Sequence, residues 1–195
     1  MNIIEKLLSI NPYSRPGRRL SVCKGIVFHY VGVPNQKAID TWLFFEKTCP
    51  VDKHYSSSHY IIDLNGFIYH AVPDNEVAYH CGSDKPDPVS GRIYTDWARK
   101  KYGLYACDPV SSSPNFCTLG IEMCMDGKGN FTPDTIQSAV ELASQLLEYN
   151  HLSVDDIGTH NLIVGWKDCP LPWVKNPFLF DDFKEKIKTR MGVLL

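Results

Sequence analysis

Apolar and polar positions along the chain follow two rhythms, and the switches between them mark out its elements. Ile3, Ile4, Leu7, Leu8 and Ile10 fall at helix-like spacing, which predicts a short N-terminal helix over 3–10, followed by a loop rich in Pro, Gly and Arg to residue 20. The apolar run through Ile26-Val27-Phe28-His29-Tyr30 reads as a strand, with Ile26, Phe28 and Tyr30 on one face and Val27 and His29 on the other. Asn35 is placed to cap a helix of about a dozen residues whose apolar side holds Ala38, Ile39, Trp42, Leu43 and Phe45. After a polar connection over 48–57, two short apolar runs flank Asn65-Gly66, a strong β-hairpin signal.

Residues 83–114 break the rhythm. This stretch is polar, carries Pro86, Pro88 and Pro109 and a serine run at 111–113, and has room for one short helix near 94–102. It reads as an insertion; loops of this length are usually functional or mobile, and this one is expected to border the site. The pattern resumes in 115–124 as a buried-type strand, with Cys117, Leu119, Ile121 and Met123 on one face and Thr118, Gly120, Glu122 and Cys124 on the other. Thr132-Pro133-Asp134 opens a helix with a capping hydroxyl, proline at the first position and an early acid. Its stripe runs through Ile136, Ala139, Val140, Ala143, Leu146 and Leu147. After Asn176-Pro177 a last helix turns Phe180, Phe183 and Ile187 inward. Strand, helix, hairpin, strand and helices predict a single α/β (α+β) domain: a central mixed sheet flanked by helices over 21–195, with 1–20 as an N-terminal helix-and-loop extension.

Composition narrows the classes of function. Among 195 residues, 44% are apolar and 22% charged, ordinary values for a globular domain. The net charge of -2 and the lack of basic clusters beyond 15–19 argue against nucleic-acid binding. No stretch reaches membrane-spanning length, so no membrane partner is expected. The first residues lack a basic region followed by a long apolar core, which predicts a chain that is cytoplasmic at synthesis. Reduced thiols are then the default for the seven cysteines. Cys117 and Cys124, if both lie in one strand, are roughly 23 Å apart and beyond disulfide reach.

Chemistry concentrates in Thr159-His160 through Lys167-Asp168-Cys169-Pro170, which sets an imidazole, an ammonium and a thiol within a loop-like stretch. Imidazole and thiolate are the common protein ligands of zinc, and a nearby lysine favours negative charge. Alone this spacing is weak. His29, at the end of its strand, reads either as a presented ligand or as a hydrogen-bonded core histidine. Glu122, in an apolar strand, must reach solvent or have a partner, because burying a lone carboxylate is costly.

Taken together these pieces resemble a known family, the zinc-dependent N-acetylmuramoyl-L-alanine amidases, which include phage lysins, an anhydro-muropeptide amidase and peptidoglycan recognition proteins. Five segments match in family order: the strand ending in His29; Ser58-His59-Tyr60-Ile61-Ile62-Asp63 with Asn65-Gly66; Val77-Ala78-Tyr79-His80-Cys81-Gly82; Asn115-x-x-Thr118-Leu119-Gly120-Ile121-Glu122-Met123; and Thr159-His160 through Cys169-Pro170. The resemblance spans roughly 22–173. It implies one zinc ion held by His29, His160 and Cys169, with a fourth position left to water. It implies Glu122 as the acid/base, Lys167 as the oxyanion stabiliser, and His80 and Asn115 as substrate-groove residues. Asp168 is a rival ligand, but the family's ligand directly precedes the proline, which selects Cys169. Several relatives carry a catalytic tyrosine where this chain has Ser58, and those usually lack the strand glutamate, so Glu122 inherits that task.

The implied reaction is hydrolysis of the amide between the lactyl group of N-acetylmuramic acid and L-alanine, in peptidoglycan or soluble muropeptide, by a monomer. A lysin would reach the cell wall only after release. Two other readings compete. One is a non-catalytic peptidoglycan-binding module of the same fold. The other is a structural zinc site, closed by Asp168, His59 or His80 as a fourth ligand.

Overall fold

Two parallel strands, β2 (Gly25–Tyr30) and β5 (Thr118–Met123), lie side by side at the middle of the fold, and their alternation sorts the molecule into two sides. The computed structural model describes residues 1–20, 22–103 and 113–193. With β1 (Ile3–Glu5), β3 (Tyr60–Ile62), β4 (Ile68–His70) and β6 (Ile157–Thr159) they form a six-stranded sheet in the order β1-β4-β3-β5-β2-β6. All pairings are parallel except the β3–β4 hairpin. The mixed sheet flanked by helices, in a single domain, is the architecture expected from the sequence.

One side of the sheet is a continuous apolar layer. Ile26, Phe28, Tyr60, Ile62, Leu119, Ile121 and Met123 pack against α4 (Pro133–Tyr149), α6 (Leu171–Lys175) and α7 (Pro177–Val193). Phe28 stands edge-on to Trp173 and Phe183, with centroids 5.7 and 5.0 Å away. Thr132 caps α4 by accepting from the Thr135 N–H, and Pro133 occupies the first turn, as their sequence signature predicts. The other side is split into two smaller clusters. One lies under α1 (Ala38–Leu43), a π-helical turn at Phe44–Thr48 and α2 (Cys49–Asp52). The other gathers around α3 (Asp96–Tyr102) and α5 (His160–Val164), with Val27, Tyr102 and Ile163. The gap between these clusters exposes the polar face of β2 and β5.

Three local expectations are corrected. Residues 3–10 are not a helix: Ile3–Glu5 forms β1, parallel to β4 at the sheet's edge. A helix this short has no stability of its own, whereas the bare edge of β4 offers backbone partners: Ile68 N–H donates to Asn2 O, Lys6 N–H to His70 O and Leu8 N–H to Ala71 O. The Glu5 carboxylate meets His70 Nδ1 at 2.8 Å, and of the five apolar residues in the stripe only Leu8 is fully buried. Asn35 is not the cap of α1 either; it adopts φ 61° in the preceding turn, and Lys37 is the N-cap. The strand predicted over 115–124 begins only at Thr118, because Pro114–Phe116 is a 3₁₀ turn, capped by the Ser113 hydroxyl. Residues 104–112 of the presumed insertion, Cys107 among them, lie outside the described residues. The six described cysteines, Cys117 and Cys124 included, are free thiols.

Candidate active site

The carboxyl ends of parallel strands are where open α/β sheets present their ligand-binding groups, and three such ends meet here. β2 delivers His29 and β5 delivers Glu122, and the two residues are direct partners in the parallel register. β6 runs straight into α5, whose first residue is His160; Thr159 caps that helix by accepting from Leu162 N–H. Gly165, at φ 79°, ends α5 with a left-handed turn, and the chain returns toward the sheet. Asn161 anchors that return: its backbone N–H donates to Cys169 O at 2.8 Å and its side-chain amide to Lys167 O at 3.0 Å. Cys169 is thereby held against β2, its Sγ 3.7 Å from His29 Nδ1.

His29, His160 and Cys169 are each no more than 3% exposed, and one ligand atom from each lies within 4.8 Å of the others. His160 donates its Nε2 hydrogen to Gly82 O at 3.1 Å, which leaves Nδ1 as its unprotonated nitrogen. Two imidazoles and a thiol suit a divalent cation of zinc's character. Asp168, the rival in the sequence, is exposed and belongs to no such cluster. A second cluster shares His29 and adds His80 and Cys81.

His29, His160, Cys169, Glu122 and Lys167 all line one cleft of about 580 Å³. A larger groove of about 740 Å³ between α4 and α7 holds no cluster of ligating side chains among the described residues. Chemistry, not volume, selects the site. Glu122 Oε2 is buried without a hydrogen-bond partner, an uncommon state for a native polar atom. Burial pushes the Glu122 carboxyl up to about 8, against the opposing pull of Lys167. Burial likewise drives the His160 imidazole down to about 3, helped by Lys167, and raises the Cys169 thiol to about 12, helped by Glu122. These shifts describe neutral donors that a cation would charge or coordinate.

The remaining sequence candidates divide. His80 lines the cleft and is 6% exposed, with its Nδ1 3.0 Å from His29 Nε2. Asn115 is equally buried but faces inward, its Oδ1 accepting from the backbone N–H of His80 and of Cys81. His59 has both ring nitrogens engaged: Gly120 N–H donates to Nδ1 and Nε2 donates to Glu76 O. Ser58 is buried, its hydroxyl donating to Tyr60 O.

Of residues 83–103, the described part of the predicted insertion, only Ser83 and Asp84 reach the cleft. Ser83 and Asp84 form part of its wall, Ser83 accepts from Trp166 Nε1–H, and Thr95 ties to Leu162 O and Ile163 O of α5. Tyr30, His54 and Tyr55 also line it. Tyr30 could have been suspected as the neighbour of His29. Nothing in the polar stretch around His54 and Tyr55 marks them, since only the path of the chain after α2 brings them to the site.

Known proteins resemble this chain along nearly its whole length. The family model for N-acetylmuramoyl-L-alanine amidase matches residues 18–172. A probable N-acetylmuramoyl-L-alanine amidase of Bacillus licheniformis is 31% identical over 192 residues, 98% of this chain and 49% of that protein. The N-acetylmuramoyl-L-alanine amidase BlyA of Bacillus subtilis (strain 168) is 32% identical over 186 residues, 95% of this chain and 46% of that protein. The chain thus spans about half the length of the curated relatives it matches. The solved catalytic domain of XlyA superposes with a TM-score of 0.69 at 21% identity, covering 96% of this chain and 99% of that one. On the family match and the agreement of the fold, the chain belongs to the N-acetylmuramoyl-L-alanine amidase family.

Proposed function

We propose that this domain hydrolyses the amide bond between the lactyl group of N-acetylmuramic acid and the L-alanine of the stem peptide in peptidoglycan, with one zinc ion as cofactor. The observation that carries the reading is the convergence of His29, His160 and Cys169 in the cleft that also holds Glu122 and Lys167. The family match supports the substrate class.

His29, His160 and Cys169 are the residues that would hold the zinc. Bound by three protein ligands, zinc supplies Lewis acidity, making the attacking water acidic near neutral pH and polarising the scissile carbonyl. A merely structural site would need a fourth protein ligand. His59 is satisfied on both nitrogens, Asp168 is exposed outside the cluster, and His80 is engaged with His29, which favours an open position.

Glu122 is the proton carrier. Its buried, unpartnered Oε2 accepts the proton of the attacking water and returns it to the leaving amine of L-alanine. Its raised affinity for a proton matches that task, since a base tuned toward the operating pH both takes and gives the proton. Lys167, exposed on the cleft wall, faces the carbonyl oxygen and stabilises the negative charge that develops there. Ser83, Tyr55 and Tyr79 offer hydrogen-bonding and stacking surface for the sugar and peptide on either side.

The test pairs metal content with amine release from a muramoyl peptide, for the wild type and Cys169→Ala. One zinc per chain, a new L-alanine N-terminus among the products, and loss of both in the variant are the expected results. Zinc without hydrolysis, on either intact wall or soluble muropeptide, would instead mark a binding module.

A further inference from the structure

We infer that His80 is a positioning residue that fixes the tautomer of His29, so that His29 Nδ1 stays an unprotonated lone pair directed at the Cys169–His160 cluster. The inference builds on the metal-site reading above, and goes beyond it in assigning His80 to a task inside the wall of the cleft.

The direction of each hydrogen bond follows from the end of the chain of contacts. The Thr118 hydroxyl donates to Pro114 O at 2.7 Å, so its oxygen has only acceptor capacity left. His80 Nε2 lies 3.3 Å from that hydroxyl oxygen and 3.3 Å from Thr118 O. Both are acceptors, so His80 Nε2 carries the hydrogen. Among the described residues no carboxylate is hydrogen-bonded to either of the two buried rings, which are therefore neutral. His80 Nδ1 is then a bare acceptor, 3.0 Å from His29 Nε2, and His29 must donate from Nε2. What remains on His29 is the lone pair of Nδ1, 3.7 Å from Cys169 Sγ. Cys81 Sγ also lies 3.0 Å from His80 Nδ1 and 4.0 Å from Thr118 Oγ1; its S–H turned to the Thr118 oxygen leaves the single lone pair of His80 Nδ1 to His29.

The fold spends several features on holding this ring. Asn115 Oδ1 accepts from the backbone N–H of both His80 and Cys81, fixing the main chain beneath it. Gly120 lies under the ring: a Cβ there would come within 2.5 Å of His80 Cγ and 2.7 Å of Nδ1. The requirement for glycine at this strand position therefore comes from His80, since the backbone of β5 is ordinary there. The same geometry interprets the second cluster. His29 Nε2 and His80 Nδ1 point at each other at hydrogen-bond distance, so this pair supports a ligand rather than forming a second metal site.

Imidazole ¹⁵N spectra of the metal-free wild type test the assignment directly. Protons on Nε2 of both His29 and His80 are expected; a His29 protonated on Nδ1 would overturn it. Zinc affinity, read by competition with a chelator, gives the second measure. His80→Phe keeps the ring's volume but offers no acceptor, and should lower affinity about 10–100-fold, as loss of an outer partner does elsewhere. His80→Asn keeps an acceptor near the Nδ1 position and should recover most of it. Gly120→Ala leaves every donor and acceptor in place but displaces the ring, and should lose affinity as His80→Phe does. Undiminished zinc binding by folded His80→Phe, or two zinc ions per wild-type chain, would refute the inference. A wild type that binds no zinc would refute the metal-site reading instead, while the His29 tautomer in the same sample would still decide the role of His80.

Discussion

The two faces of β2 and β5 share a backbone and differ in almost everything else. On one, Ile26, Phe28, Leu119, Ile121 and Met123 are sealed under α4, α6 and α7. On the other, His29, Thr118, Gly120 and Glu122 line or back the cleft, with a carboxylate oxygen buried and unpaired. The first face stabilises the domain by removing apolar surface from water. The second costs stability, because a carboxyl oxygen is buried there without a hydrogen-bond partner. Strand alternation lets one pair of strands do both at adjacent residues.

Substitutions on each face should therefore fail in different ways. The largest effect is expected from Phe28→Ala, which empties a fully buried site between Trp173 and Phe183. A loss of about 3–5 kcal/mol in unfolding free energy, read by denaturant titration, is the expected outcome. On the polar face, Lys167→Ala should leave unfolding nearly unchanged, as the side chain is exposed. It should lower kcat on a muramoyl peptide about 10²–10³-fold if it acts as an oxyanion donor. Equal turnover in that variant would remove Lys167 from the mechanism.

The subtlest contrast is a stability slope with pH. Burial raises the folded-state pKa of Glu122 to about 8 from its ordinary 4.5, so between those values the folded protein holds a proton that the unfolded chain has lost. Stability of the metal-free protein should then fall as pH rises through that window and level off above it. Glu122→Gln cannot lose a proton and should lack this component of the slope, melting higher than wild type at neutral pH while losing activity. Thermal unfolding in chelator across pH 4–9 reads the difference; parallel slopes for the two proteins would mean that Glu122 is better solvated than its surroundings imply.

The N-terminal segment and α4 show where sequence patterns carry structural weight. In α4 the cap, the proline and a stripe of six apolar positions agree, and the helix forms as read. In residues 3–10 a similar apolar spacing, without a cap and over too few residues, gives way to the unpaired edge of β4. Asn35 shows the same competition on a smaller scale: a good capping residue is drawn into a left-handed turn, with its N–H on Met125 O.

For the site, the residue types and their strand-end positions were legible: His29 closing one apolar run, Glu122 inside another, and His160 and Cys169 in one loop. Within the paired strands that alternation separated Ile26, Phe28, Leu119, Ile121 and Met123 from Val27, His29, Gly120 and Glu122, because side chains in a strand can only point up or down. At the strand ends it failed, since Cys117, just before β5, packs with Val27, and Tyr30 lines the cleft. What required the tertiary structure was distance. The register that sets His29 beside Glu122, the Asn161 contacts that fold Cys169 back to the sheet, and the return of Tyr55 to the cleft all join residues far apart in the chain. No local pattern encodes such pairings, since they depend on which strand edges meet. The sequence by itself determined which chemistry the chain carries and on which faces; the packing of β6, α5 and the 77–82 segment around β2 decided which nitrogens and which sulfur face one another.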